Sequence, residues 1–209
     1  MIEYILEKDM RERKFLDYEK NYPGKLIAGI DEAGRGPLAG PVVCASVIMP
    51  LDESSIIEGI DDSKKLSQKE RERLYPLILE KAISYCIVEI DSDIIDKINI
   101  LNATKLGMKN ALCGLSVKPD IVLIDAVKID TDLPQDNIIK GDSKSYNIAS
   151  ASILAKVYRD RLMMKYDLEY PEYQFAKHKG YGTKLHIENI KKYGKCQLHR
   201  QTFIKKFVD

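Results

Sequence analysis

The chain has 209 residues, of which 44% are hydrophobic and 31% charged, with a net charge of +1. This profile is that of an ordinary globular domain with a small appendage, and the net charge by itself indicates no partner. No apolar run approaches the ~18 residues of a membrane span, and no signal-peptide core opens the chain. The four cysteines form no C-x-x-C pair, which excludes the usual zinc and dithiol motifs. We therefore expect a reduced, cytoplasmic protein.

The first 24 residues predict a leader helix. Charged residues alternate there with apolar ones in a loose helical pattern, and Pro23-Gly24 ends it. Two interpretations are open: a helix that packs on the domain, which is favoured, or an arm that faces nucleic acid.

The next stretch is an apolar run, residues 25–30, that predicts a buried strand ending abruptly at Asp31 and Glu32. Carboxylates are costly to bury unless a cation neutralises them. Gly34, Arg35 and Gly36 follow at once, and a turn with two glycines allows a backbone to approach a ligand closely. The combination indicates a metal-assisted site that acts on a phosphorylated substrate.

Further strands and helices alternate along the chain. Residues 40–49 and 83–90 predict strands, and Ser67 with Glu70 predicts a capping box that opens a helix. Pro76 lies inside that helical pattern, so we expect a kink or a break there. Two helices are predicted at 91–101 and 102–115.

The second half of the chain continues the alternation. A strand at 121–126 carries Asp125 near its end, a short strand at 137–140 precedes Asp142, and 145–168 predicts one long helix. The alternation predicts an α/β fold, in which ligands bind at the carboxyl ends of the strands. A soft boundary at about residue 170 separates this domain from a basic, glycine-rich segment.

Three predicted strands thus end in acids. Each acid alone is more often a turn or cap residue than a ligand. Together, Asp31, Glu32, Asp125 and Asp142 would repel one another unless metal ions neutralised them. Oxygen ligands select hard cations, so the sequence predicts Mg²⁺ or Mn²⁺ and in-line displacement at phosphorus. Spacing alone does not establish that the four acids converge.

The Gly34-Arg35-Gly36 turn has two interpretations. It is either a tight structural turn with an exposed arginine, or a backbone that contacts a ligand hydroxyl. A ribose 2′-OH is both donor and acceptor, and it distinguishes RNA from DNA.

The last part of the chain is basic. From Lys177 to Lys206 there are nine Lys or Arg residues, one acid and all three histidines. Such a block indicates either a surface that faces a polyanion or a solvated tail. In the first case Lys177 and Lys179 would contact phosphates and Tyr181 would lie against a sugar or base.

Seven ordered blocks between residues 25 and 203 resemble bacterial ribonuclease HII. They are Gly29-Ile-Asp-Glu-Ala-Gly-Arg-Gly-Pro-Leu-Ala-Gly-Pro41, Asp62-Ser-Lys-Lys-Leu66, Leu123-Ile-Asp125, Gly141-Asp-Ser-Lys144, Ser150-Ala-Ser-Ile-Leu-Ala-Lys-Val-Tyr-Arg-Asp160, His178-Lys-Gly-Tyr-Gly-Thr183 and His199-Arg-Gln-Thr-Phe203. Ala126, where glycine is common, and Thr202, where serine is frequent, are mild departures. Ribonuclease HIII is less similar, because it usually carries a large N-terminal domain.

The resemblance implies an RNase H-like fold: a five-stranded mixed sheet flanked by helices, with a C-terminal helical extension. It implies three parts, namely a leader at 1–24, a catalytic domain at 25–170 and a basic substrate-binding extension at 171–209. The implied activity is hydrolysis of RNA in RNA/DNA hybrids and incision 5′ to a single ribonucleotide in duplex DNA, giving 5′-phosphate and 3′-OH ends. We expect a monomer that does not bind membranes.

The resemblance also implies roles for particular residues. Asp31, Glu32, Asp125 and Asp142 match the acids that bind Mg²⁺ or Mn²⁺. The Gly34-Arg35-Gly36 turn matches the one that senses the 2′-OH, and Tyr181 matches the tyrosine that packs on the neighbouring deoxyribose. The further expected phosphate contacts are Lys64, Lys144, Ser152, Lys156, Lys177 and Lys179.

Two other functions remain open from the sequence. A recombinase or junction resolvase would use similar acids but would cleave all-DNA substrates. A non-catalytic binding module would bind a hybrid without cleaving it when divalent metal is added.

Overall fold

The computed structural model describes residues 18–125 and 127–207. The predicted leader helix falls mostly in residues 1–17, outside this range, as does Ala126. The described end of the leader, from Tyr18 to Gly24, contains a short 3₁₀ helix, Glu19–Asn21. Within the described residues, no helix is both long and apolar enough to cross a membrane.

A mixed five-stranded sheet forms the centre of the described chain, as predicted. Its strands are β1 (Ile27–Ala33), β2 (Val42–Ile48), β3 (Ser84–Ile90), β4 (Ile121–Asp125) and β5 (Gln135–Ile138). The spatial order is β3-β2-β1-β4-β5. The β3-β2-β1 strands pair antiparallel, whereas β1, β4 and β5 are parallel neighbours. β1 is therefore the central strand, and its end adjoins the end of β4.

Helices cover both faces of the sheet. In chain order they are α1 (Gln68–Lys81), α2 (Ser92–Ile98), α3 (Ile100–Cys113), α4 (Tyr146–Glu169), α5 (Phe175–His178), α6 (Lys184–Tyr193) and α7 (Gln201–Ile204). Val43, Ala45 and Val47 of β2 pack with α1 and α4, while Val42 and Cys44 face α2 and α3. This alternation is the period-two pattern of a strand buried on both faces.

The strand boundaries differ from the predictions at two places that matter for the site. β1 extends to Ala33, because its antiparallel pairing with β2 continues to the Ala33–Val43 pair. Asp31 and Glu32 are therefore strand residues, not the first residues of a turn. β5 lies two residues earlier than expected, and Asp142 belongs to a 3₁₀ helix, Gly141–Ser143, that precedes α4.

Helix α1 begins with the predicted capping box: the Ser67 hydroxyl accepts from Glu70 N–H and the Glu70 carboxylate accepts from Ser67 N–H. Of the kink or break predicted at Pro76, the break is wrong, because the helix runs through it from Gln68 to Lys81. Pro76 lies on the exposed side of the helix. There the proline ring does not disturb the core, and water can solvate the carbonyl that lacks an N–H partner.

The long helix α4 crosses β1 in very close contact. A Cβ on Gly29 would lie well inside 3.0 Å of the backbone of Asn147 and Ile148. Glycine at this position therefore sets the distance between the central strand and the start of α4. That distance in turn fixes Ser152 of α4 behind Asp31.

The described end of the leader is docked on the domain. The hydroxyls of Tyr18 and Tyr22 donate to Asp136 of β5 at 2.9 and 2.8 Å. The buried carboxylate of Glu19 accepts from the Ser145 hydroxyl and from the N–H of Asn147, at the first turn of α4. These contacts favour the packing interpretation over a free arm for residues 18–24.

Candidate active site

The ends of two parallel neighbours bring the first acids together. β1 and β4 pair up to Ile30 and Ile124, and Asp31 and Asp125 are the next residue of each strand. Both side chains leave the face of the sheet that α4 covers, since successive strand residues alternate between faces. Glu32 leaves the opposite face. Asp142 follows β5, and Asp125 accepts a hydrogen bond from Gly141 N–H at 2.9 Å, which ties the 3₁₀ helix to the end of β4.

Burial and mutual repulsion govern the ionisation of these carboxylates. Burial, followed by the charges of Glu32 and Asp125, raises the pKa of Asp31 well above its usual value. Burial also raises the pKa of Glu32, against the opposing charge of Arg35. The pKa of Asp142 is raised by burial, and the Lys64 ammonium opposes the shift. The adjoining ends of β1 and β4 and the hydrogen bond from Gly141 to Asp125 thus place the four predicted acids near one another at one edge of the sheet.

Two polar side chains support the acids directly. The Lys64 ammonium lies 3.1 Å from the Asp142 carboxylate, while its own side chain is 76% exposed. The buried Ser152 hydroxyl lies close to Asp31, where it opposes the rise in the pKa of that carboxyl, and is 2.8 Å from the Ser63 hydroxyl. Of the predicted phosphate contacts, Lys64 thus lies at the edge of the acidic site, whereas Ser152 lies behind it.

The donor set fits a hard divalent cation. All four candidate ligands are carboxylates, and buried like charges of this kind favour a bound cation. Within 18–125 and 127–207, no three His, Cys, Asp or Glu side chains already form a group that could hold a metal ion. The fit therefore rests on the oxygen chemistry of the four acids, of which Asp31 and Asp142 are buried and the other two partly buried. An open site suits Mg²⁺, which keeps several waters and binds substrate phosphate.

The glycine turn lies beside the acids. Gly34 adopts a φ of +95°, in the left-handed region that favours glycine, and the Arg159 side chain fills the space that a Cβ would need. Arg35 is partly exposed, and its guanidinium lies 3.5 Å from the Glu32 carboxylate. The side chain nearest to Gly36 is Tyr181, whose Cε1 lies 3.8 Å from the position of an added Cβ. The turn and Tyr181 are therefore neighbours.

The loop that carries Tyr181 is fixed by its backbone. Leu38 N–H donates to Gly180 O at 2.8 Å, and Arg159 donates to the carbonyls of Ala39, Pro41 and Lys179. The Tyr181 ring itself is 43% exposed. An aromatic ring is thus held on a rigid loop next to the turn.

The remaining predicted lysines occupy different surroundings. Lys144 and Lys177 are exposed, while Lys156 pairs with Asp160 at 2.8 Å. Lys179 is partly buried, which lowers its pKa, and its ammonium donates to Ala176 O. Lys144 and Lys177 therefore have exposed side chains, although the Lys177 ammonium donates to the Gln174 side chain, whereas Lys156 and Lys179 are less exposed and bond within the protein.

All three histidines of the basic segment are buried, so they do not belong to a polyanion-facing surface. Cys196 N–H donates to His199 Nδ1 at 3.0 Å, which assigns the His199 proton to Nε2. That Nε2 lies 3.1 Å from His186 Nε2, and His186 Nδ1 lies 3.0 Å from Tyr181 O. The network therefore runs from Cys196 through two neutral rings to the backbone of Tyr181.

These histidines, Arg159 and Arg200 are buried, which was not predicted from the sequence. In a sequence, buried and solvated cations look alike. The available signal was the aromatic content between them: Tyr173 and Phe175 contact the histidine rings. Aromatic residues interleaved with histidines favour a small buried core over a solvated tail.

Protonation of this histidine network is expected to destabilise the fold. Burial lowers the pKa of His186 and of His199 to about 4, whereas an unfolded histidine titrates near about 6.5. Between these values the unfolded state binds more protons, so the free energy of unfolding should fall as the pH falls from about 6.5 to about 4. Urea unfolding as a function of pH measures this slope.

The acids with raised pKa values change the free energy of unfolding with pH in the opposite direction. A variant is therefore needed to isolate the contribution of the histidines. His199→Gln keeps a donor towards His186 but cannot take up a proton. Its stability should depend less steeply on pH in this window than that of the wild type. Equal slopes in the two proteins would contradict the prediction.

Comparisons with known proteins identify the family of the chain. Residues 28–206 match the family model of ribonuclease HII. The chain is 56% identical over 192 residues to ribonuclease HII of Acetivibrio thermocellus, a match that covers 91% of this chain and 73% of that protein. It is 55% identical to ribonuclease HII of Caldicellulosiruptor bescii over 88% of this chain and 89% of that protein. The crystal structure of ribonuclease H2 from Pyrococcus horikoshii superposes with a TM-score of 0.73 at 27% identity, covering 87% of this chain and 96% of that one.

Proposed function

The chain belongs to the ribonuclease HII family, and from that membership we propose that Asp31, Glu32, Asp125 and Asp142 form its catalytic centre. It is an endoribonuclease that hydrolyses RNA in RNA/DNA hybrids and incises 5′ to single ribonucleotides in duplex DNA, giving 5′-phosphate and 3′-OH ends. The observation that carries the site assignment is the position of Asp31 and Asp125 at the adjoining ends of β1 and β4.

The family depends on a divalent metal ion. We propose that the four carboxylates hold Mg²⁺ or Mn²⁺, since both prefer oxygen ligands. When bound, such ions lower the pKa of a water nucleophile and neutralise charge on the phosphate. Cleavage assays with Mg²⁺, Mn²⁺ and a chelator distinguish the two metals.

The protein groups then have separate tasks. Asp31 is a buried ligand in this proposal, and the Glu32 N–H, which donates to its carboxylate at 2.8 Å, and the nearby Ser152 hydroxyl orient it. Lys64 favours the charged form of Asp142 and, because its side chain is exposed, is placed to contact a phosphate of the substrate. Lys144 and Lys177 are the other proposed phosphate contacts with exposed side chains. Ser152, Lys156 and Lys179 act indirectly through their protein partners.

A second group of residues would select which phosphodiester bond is cleaved. We assign recognition of the 2′-OH to the backbone of the Gly34-Arg35-Gly36 turn and contact with the neighbouring deoxyribose to Tyr181. Their adjacency supports this assignment, since both must contact one substrate strand. A recombinase or junction resolvase, which cleaves all-DNA substrates, would not need residues that recognise a ribose.

Loss of the Tyr181 ring is expected to impair selection of the junction more than cleavage. For Tyr181→Ala, kcat/KM on a duplex with one ribonucleotide should fall about tenfold more than on a long RNA/DNA hybrid, since an aromatic contact with a nucleotide contributes ~1–3 kcal/mol. Steady-state cleavage of both substrates measures the two ratios.

Two control variants accompany this test. Tyr181→Phe keeps the ring and should stay close to the wild type, and Tyr193→Ala removes another exposed tyrosine of the same segment. If Tyr181→Ala loses the same factor on both substrates, Tyr181 does not read the junction.

We also propose the division into a leader at 1–24, a catalytic domain at 25–170 and a substrate-binding extension at 171–209. The extension places Tyr181 beside the catalytic domain, which supports that role. The histidines of the extension and Arg200 are buried, so the extension would hold the loop that carries Tyr181 in place as well as present cations to the substrate. We also propose that the protein acts as a monomer in the cytoplasm. Sedimentation of the purified protein tests its oligomeric state.

A further inference from the structure

Arg200 is a buried cation whose partners are backbone carbonyls. Its side chain is fully buried, and no described carboxylate lies within ion-pair distance of it in residues 18–125 and 127–207. Its guanidinium donates to Gly34 O at 2.6 Å, to Arg35 O at 2.9 Å and to Gly40 O at 2.8 and 3.0 Å. A buried arginine satisfied by carbonyl oxygens fixes the peptide groups that carry them.

The position of Arg200 is itself fixed by backbone pairing. His199 forms an antiparallel bridge with Ala39, Arg200 N–H donates to Leu38 O, and Gly40 N–H donates to Leu198 O at 2.8 Å. The C-terminal segment is thus paired with residues 38–40, just after the turn, through an isolated antiparallel bridge. The Arg200 side chain reaches forward from it to the carbonyls of Gly34 and Arg35.

This arrangement determines where the amides of the turn point. In a trans peptide, the C=O of one residue and the N–H of the next point in opposite directions. The described chain contains no cis peptide. Because Gly34 O and Arg35 O point inwards to Arg200, the N–H groups of Arg35 and Gly36 point away from it. Within the described part of the chain, neither N–H donates a hydrogen bond to the protein.

We propose that Arg200 is a positioning residue for ribose specificity: it turns the N–H groups of Arg35 and Gly36 outwards as two fixed donors for the 2′-oxygen of the substrate. This inference rests on the proposed role of the Gly34-Arg35-Gly36 turn. It adds a residue about 165 positions away in sequence, which touches no substrate and acts through the backbone alone.

The test is a comparison of binding with and without one 2′-OH. Affinities of the full-length protein are measured in Ca²⁺, as a probe metal, for a duplex with one ribonucleotide and for the same duplex in all-DNA form. The wild type should bind the ribonucleotide duplex more tightly. In Arg200→Lys, which keeps the charge but loses the planar fork, this preference should fall about tenfold, because Lys cannot hold two carbonyls in one plane. Affinity for the all-DNA duplex should stay within about twofold of the wild type, since phosphate contacts set that affinity.

The matched control is Arg161→Lys, which changes an exposed arginine that pairs with Glu72 away from the turn. It should keep the full preference. A purely structural effect of Arg200→Lys would weaken binding of both duplexes equally, and that result, or an unchanged preference, overturns the proposal. If the wild type itself shows no preference for the ribonucleotide, the proposed role of the turn fails first.

A second measurement needs no variant and covers the case in which Arg200→Lys does not fold. In ¹H–¹⁵N spectra of the wild type with Ca²⁺, the amide signals of Arg35 and Gly36 should shift downfield on addition of the ribonucleotide duplex and not with the all-DNA duplex. Equal shifts with the two duplexes would show that these N–H groups do not bind the 2′-oxygen, and the proposal would be wrong.

Discussion

Asp142→Asn is expected to lower kcat by at least about 100-fold on every substrate, while the affinity for an RNA/DNA hybrid stays close to that of the wild type. The substitution keeps the size of the side chain but removes one of the four carboxylate charges that would hold the metal ions, and changes even outside the ligand shell cost about 10–100-fold. It also removes a negative charge next to the substrate, so binding of a polyanion has no electrostatic reason to weaken. Single-turnover cleavage and hybrid binding measure the two effects separately.

A matched control exists on the surface. Asp130 pairs with Lys109 at 2.7 Å, much as Asp142 pairs with Lys64, but its side chain is 93% exposed. Asp130→Asn should cleave at the wild-type rate. Wild-type turnover in Asp142→Asn would exclude Asp142 from the catalytic centre, and equal losses in both variants would point to a general effect of charge.

Gly29→Ala is expected to cost about 3 kcal/mol of the free energy of unfolding, at the upper end of the usual range for an overpacked core. The added methyl group would overlap the backbone of Asn147 and Ile148, and a helix backbone cannot move aside as a flexible side chain does. For a domain of this size such a loss lowers the melting temperature by about 6–12 °C. Urea unfolding of the purified variant gives the free energy directly.

The control for this prediction is Gly36→Ala, because the nearest neighbour of its new Cβ would be Tyr181 Cε1 at 3.8 Å, an ordinary contact. Its stability should change by less than about 1 kcal/mol. If Gly29→Ala unfolds at the same urea concentration as the wild type, α4 does not pack against β1 as closely as described.

The sheet and its principal helices were predictable from sequence because their signals are local. Apolar runs gave the strands, and Ser67 with Glu70 gave the start of α1. The end of β1 was not predictable, because its last residues are held by antiparallel pairing with β2 while the parallel pairing with β4 has already stopped. The end of such a strand depends on which neighbouring strand continues to pair with it. The residue pattern of one segment does not contain that information.

The site divides in the same way. The four acids were predicted because each follows an apolar run, and the structure brings them together. The residues alone left two interpretations each for the glycine turn and for the basic segment with Tyr181, and the resemblance favoured the functional ones. Arg200 and the histidines were missed, because their burial depends on three distant segments packing together around residues 38–40, 180 and 198–200. A cation buried by such packing has the same sequence signature as a solvated one.

The bridge between His199 and Ala39 has a consequence for synthesis of the protein. All four acids precede residue 143 in the chain, whereas residues 198–200, which contact the Gly34-Arg35-Gly36 turn and the residues after it, are synthesised later. During translation the carboxylates can assemble on the sheet while the turn still lacks its support. A chain interrupted before residue 198 would therefore contain every candidate metal ligand but would lack the contacts that support the Gly34-Arg35-Gly36 turn, to which we assign recognition of the ribose.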